Sequence, residues 1–169
     1  MKKNFKNNYI LIIIIHIFAY SFFSCSDYDR LSMPKDFDID FIYGYRGEYE
    51  VNTFNNTFKK ALSWEKDTVF YFNLSNSKKE LIYKQFVKHK FSEFSEIFEP
   101  ESKNQKTGMP TYFIKIRYNG NTKKITWGNN TDSDEKKAKK LRNWFNFIIH
   151  LLEEEDAIKN LPDGERAHL

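Results

Sequence analysis

One cysteine, Cys25, is all the chain has in 169 residues, which excludes an internal disulfide framework and any cysteine-rich zinc site. Only six glycines and four prolines occur, and no two glycines sit in a phosphate-cradling arrangement. Gly44, Gly47, Gly108, Gly120, Gly128 and Gly164 are scattered, so neither a P-loop nor a dinucleotide fingerprint is present. No serine has the glycine context of a nucleophile elbow. A clustered basic excess is also missing. The formal charge is +4, but Lys2, Lys3 and Lys6 precede any acid, and without residues 1–24 the chain has 24 basic against 23 acidic residues. Nucleic-acid binding needs concentrated phosphate-neutralising charge, so no nucleic-acid partner is expected. Residues 136–140, Lys-Lys-Ala-Lys-Lys, read as the solvated face of a helix.

What the chain has in quantity is aromatic surface: 17 Phe and 10 Tyr within 18% aromatic content. Large rings bury much area per residue, so a chain of this length can close one core. The expected organisation is a signal peptide over residues 1–24, a lipidated tether over 25–41, and one globular domain over 42–169.

The leader motivates the first of these. Three lysines precede residues 10–23, which are almost wholly apolar, the layout of a secretory signal. The run is shorter than the roughly 20 residues that span a bilayer, and His16 interrupts it. Phe22-Phe23-Ser24-Cys25 resembles a bacterial lipobox, although Phe22 and Phe23 depart from its usual Leu and Ala/Ser. Ser26-Asp27-Tyr28-Asp29 resembles the acidic signal of surface-displayed Bacteroidota lipoproteins. The resemblance implies lipidation of Cys25 and a lipid anchor in the outer membrane, facing either the periplasm or the cell surface.

Periodicity from residue 42 onward is mixed. Tyr43, Tyr45, Tyr49, Val51 and Thr53 follow a strand-like alternation, with a turn at Asn55-Asn56 and a return over 57–62. Residues 67–74 place Phe70, Phe72 and Leu74 on one face. Ser77 and Glu80 have capping-box spacing for a helix to about residue 91. Tyr112, Ile114, Ile116 and Tyr118 alternate up to an Asn119-Gly120 turn, and Ile125 and Trp127 return. Asp132 or Ser133 then caps a long helix with Ala138, Leu141, Phe145, Ile148 and Leu152 on one face. The sum is an α+β two-layer sandwich with an antiparallel sheet, in the order strand-strand-helix-strand-strand-helix, ending on a long helix. This layout resembles small Bacteroidota lipoproteins. Its order is also similar to emfourin-type inhibitors of metalloproteases, which implies an inhibitor reading.

Candidate chemistry is sparse. His150 stands four residues before Glu154, but a zinc site needs at least a third ligand, and an exposed helix pair is the plainer reading. His89 falls at a helix end, where it suits the local dipole. No catalytic residue, metal or cofactor is expected. Tyr43, Tyr45 and Trp127 are candidate ligand-binding aromatics, with Tyr49, Trp64 and Trp144 as further rings, against the alternative that each is core. Asp67-Thr68-Val69 resembles the O-glycosylation motif of Bacteroidota exported proteins. The functional expectation is a lipid-anchored binding module for a protein partner, as in an inhibitor or immunity protein. The alternative is a surface glycan-binding or hydrolytic accessory protein.

Overall fold

A computed structural model of the chain describes residues 31–63, 66–101 and 111–161. Cys25, the expected leader over residues 1–24, Trp64 and His168 lie outside the described residues. The unit beginning at Ser32 contains a single sheet. Its strands are β1 (Asp38–Tyr43), β2 (Tyr49–Asn52), β3 (Thr57–Ala61), β4 (Asp67–Tyr71), β5 (Tyr112–Tyr118) and β6 (Asn121–Trp127). The helices are α1 (Asn76–Lys88), α2 (Lys136–Glu153) and the short α3 (Asp156–Lys159), with a 3-10 turn over Phe91–Glu93. The fold is α+β. All neighbouring strands are antiparallel, in the spatial order β4-β3-β2-β1-β5-β6.

Four strands precede the first helix instead of the expected two, and the central strand, β1, begins inside the expected tether. β1 takes up Asp38-Ile39-Asp40-Phe41, with Ile39 and Phe41 fully buried. The acids made the segment look solvated. Physically they alternate with apolar residues at period two, so they share the opposite face of a half-buried strand. Phe37 is also buried, with its ring 5.2 Å from Tyr83 of α1. The folded domain therefore starts near residue 36, not 42.

Both larger helices pack on one face of the sheet. Phe145 of α2 is fully buried, its ring 5.2 Å from Phe41 and 5.0 Å from Tyr112. Phe86 of α1 meets Tyr118 edge-on at 5.0 Å. Registers Phe41↔Val51, Val51↔Phe58 and Phe58↔Phe70 on one side, and Phe41↔Ile114 and Ile114↔Ile125 on the other, line up one inward row across six strands. In α2 the buried residues Ala138, Leu141, Trp144, Phe145, Ile148, Leu151 and Leu152 form the apolar stripe. No helix among the described residues is long and apolar enough to cross a membrane.

Local signals differ in detail from the expected ones. The α1 cap is Ser75, whose hydroxyl accepts from the Lys78 N–H at 3.3 Å, two residues before the expected Ser77. Glu80 does not reach back to a cap; it pairs with Lys84 at 2.8 Å. Helix α2 starts at Lys136, with Glu135 in the cap position, rather than directly after Asp132 or Ser133; the Ser133 hydroxyl donates to the Glu101 carbonyl at 2.6 Å and accepts from the Glu135 N–H at 3.3 Å. Lys78 ties the two helices together, donating to the Leu151 carbonyl at 2.7 Å and pairing with Glu155 at 2.8 Å.

The β5–β6 turn has positive φ at Asn119 (50°) and Gly120 (73°), the geometry an Asn-Gly hairpin favours. Asp36 closes it from outside: its carboxylate accepts from the Asn119 and Gly120 N–H groups at 2.8 and 2.7 Å. The Gly120 bond, with the Asn119 bond behind it, holds this carboxyl below the usual range despite some desolvation. Beyond β6, Thr126 bridges to Ile97, with its N–H on the Glu96 carbonyl at 2.7 Å. A sheet edge is thereby partly covered.

Candidate functional site

The aromatic residues singled out by sequence do not form one platform. Trp127 is fully buried between Phe98 (5.3 Å), Tyr112 (6.0 Å) and Phe145 (6.4 Å), and its indole N–H donates to the Asn129 carbonyl at 2.8 Å. Strand alternation turns it toward the helices together with Ile125, so it is core and not a ligand-stacking ring. Trp144 is likewise buried, stacked on Phe91 at 4.4 Å. Tyr45 is exposed on the β1–β2 loop, with the Arg46 guanidinium 5.2 Å from its ring.

Tyr43 and Tyr49 are the exception, because the structure brings them together at a cleft. They are register partners at the open end of β1–β2, with rings stacked at 5.0 Å. The loop between them depends on Gly44, whose φ is +87°; a Cβ there would stand 2.9 Å from Tyr49 Cδ2. That positive φ and tight approach favour glycine. Lys60, the Tyr49 partner on β3, is buried, and its ammonium lies 5.4 Å from the Tyr49 ring centre. Glu153 from the end of α2, Ile158 and Lys159 from α3, and Leu161 complete a cleft of about 390 Å³.

Burial raises the Tyr43 phenol well above its ordinary range, and Tyr49, Glu153 and Glu48 push it the same way. Tyr43 therefore stays neutral at physiological pH and offers a hydrogen bond rather than an anion. The cleft combines ring surface, a cation held over a ring, a carboxylate and a rim cation. That arrangement can hold a polar group by stacking and charge-assisted hydrogen bonds. Among the described residues, none of the seven that line it is a serine, cysteine or histidine. Sequence reasoning missed Lys60, Glu153, Ile158 and Lys159. The one available signal was Lys60 itself, which alternates with Phe58 and so had to point inward.

The remaining candidates stand apart. His150 Nε2 lies 3.7 Å from Glu154 Oε1 on the exposed surface of α2. Among the described residues no group of three or more His, Cys, Asp or Glu is placed to hold a metal ion. His89 sits at the C-terminal end of α1, its imidazole held below the usual range by burial and then by Lys140 and Lys88. Thr68 is half-buried on β4, next to the exposed Val69. At the start of β1, the Asp38 carboxylate accepts from Lys79 and Thr53, both at 2.9 Å. Asp40 lies nearby with a buried Oδ1 that has no hydrogen-bond partner.

No family model matches the chain, and no curated protein matches it.

Proposed function

We propose that this chain is a lipid-anchored envelope protein that works as a binding module, holding a polar group of a protein partner in the Tyr43–Tyr49–Lys60 cleft. The observation that carries the reading is the position of the sole cysteine, directly after an apolar leader and before an acidic Ser-Asp-Tyr-Asp stretch. The anchoring chemistry is additive, about 0.8 kcal/mol per buried methylene, so several acyl chains hold firmly.

The short connection adds a spatial limit. The eleven residue steps from Cys25 to Asp36, the first residue tied to the β5–β6 turn, span at most about 40 Å. An anchored domain on such a tether meets only partners at the membrane or close above it. Inhibition or neutralisation of an envelope-associated protein fits that limit, and a glycan held against the Tyr43 and Tyr49 rings is the second form the reading can take.

The test is site-specific photo-crosslinking in cells, with the photoreactive residue at the exposed position 159 on the cleft rim and, as control, at the exposed position 71 on β4. One discrete protein adduct from position 159, lost on Glu153→Lys and absent from position 71, supports a protein partner. Glycan-array binding that the same substitution abolishes, without a protein adduct, selects the glycan form. Equal adducts from both positions, or none with no glycan bound, overturns the cleft as the site.

A further inference from the structure

A second recess lies between α1 and α2 and shares no described wall residue with the cleft. Gln85 and His89 of the α1 end and Lys140, Asn143, Trp144 and Phe147 of α2 enclose a groove of about 260 Å³. Ligand pockets usually run from roughly 300 Å³ upward, so this groove suits a fragment-sized group, such as the end of a larger molecule.

Its wall has a definite chemical bias. Trp144 and Phe147 supply apolar ring surface, Gln85 and Asn143 supply amide groups, and Lys140 supplies a cation; none of the six described wall residues is acidic. Lys88, the exposed last residue of α1, and Lys140 both act on the His89 imidazole, which lies in a positive local field as well as being desolvated. Trp144, a residue of this wall, has a buried indole N–H with no hydrogen-bond acceptor. An unpaired buried donor is costly and uncommon in folded proteins. Trp127 makes the contrast, since its indole N–H is satisfied by the Asn129 carbonyl.

We infer that the α1–α2 groove is a binding site for a carboxylate on a short apolar or aromatic stem. The stem lies against Trp144 and Phe147. The carboxylate meets Lys140 and the Gln85 and Asn143 amides. A carboxylate is acceptor-only when ionised, which matches the Lys140 ammonium and the NH₂ groups that Gln85 and Asn143 can turn toward it.

The chain has three tryptophans, hence three indole N–H resonances. With the full chain in mild detergent, ¹⁵N-labelled at tryptophan, the Trp144 resonance is assigned through its contacts to the Phe91 ring and followed during titration with benzoate. Benzoate should shift Trp144 saturably and leave Trp127 in place. Lys140→Ala, an exposed position that should not disturb folding, should weaken binding about tenfold, the loss of one charge-assisted contact. Benzyl alcohol, which keeps the stem without the charge, should not saturate over the same range. No saturable shift by about 10 mM benzoate, a concentration that would detect even millimolar affinity, overturns the site, as does an unchanged response in Lys140→Ala. An equal response to inorganic phosphate overturns the carboxylate-and-stem class.

Discussion

Phe41→Ala is the sharpest test of the fold, because residue 41 falls in a stretch whose acids make it look like a solvated tether. The side chain is fully buried. Its ring lies 5.1 Å from Tyr43, 5.2 Å from Phe145 and 6.5 Å from Tyr112, and its backbone pairs with Val51 on one side and Ile114 on the other. Burying such a ring contributes about 1.5–3 kcal/mol by area, and favourable ring pairs add about 0.5–1.5 kcal/mol. The cavity left in the central strand adds a further penalty, which brings the expected loss to about 3–5 kcal/mol. Against a total stability of about 5–15 kcal/mol, that is a large fraction. Urea unfolding followed by circular dichroism reads it directly. With a slope of about 1–3 kcal/mol per molar, the midpoint should fall by at least about 1 M. Tyr71→Ala, on an exposed edge position, is the matched control and should stay within about 0.5 kcal/mol. If the two substitutions shift the midpoint equally, β1 is not the centre of the sheet and the domain boundary near residue 36 is wrong.

Two predictions concern the acids of the same strand. Burial alone would raise the Asp38 carboxyl, but hydrogen bonds from Lys79 and Thr53, with Arg117 behind them, hold it below its ordinary value. The folded state thus favours the carboxylate: the stabilisation is complete above the unfolded value of about 3.9 and is lost as pH falls through the lower folded value. Asp38→Asn should cost on the order of 1 kcal/mol at neutral pH, limited by the exposure of Arg117, and the difference from wild type should shrink in acid; a constant difference from pH 7 to 2 would contradict it. Asp40 runs the other way, since burial and then Glu50 raise its carboxyl while Lys115 lowers it. Wild-type stability should fall as pH rises from about 3.9 through the raised folded value. Asp40→Asn should therefore be more stable at pH 7 by under about 1 kcal/mol, with the gain fading below pH 4, and a destabilised variant at pH 7 would refute it.

How far the sequence reveals this molecule depends on whether a signal is local. The β5–β6 hairpin is legible because alternation and an Asn-Gly turn act within a few residues, and the α2 stripe is legible because its period repeats over five turns. β1 is hidden by composition: Asp36, Asp38 and Asp40 outweigh Phe37, Ile39 and Phe41 in any average, although the period-two order was there to be read. The long alternation from Tyr43 to Thr53 is broken by a loop at Gly44, which leaves Tyr45 outside while Tyr43 and Tyr49 stay stacked. Ring identity misled at Trp127, since an amphipathic ring suits core and binding surface alike. The cleft was not legible as a whole. Lys60, Glu153 and Lys159 come from three elements, and only the register of β2 with β3 and the return of the chain after α2 bring them to Tyr43.

The proposed anchor is tested most directly by mass analysis of the protein purified from the producing cell. A mature chain that begins at Cys25 and carries the mass of several acyl groups, with that mass absent from a Cys25→Ala variant, is the predicted result. A free Cys25 thiol with residues 1–24 still attached would contradict the account.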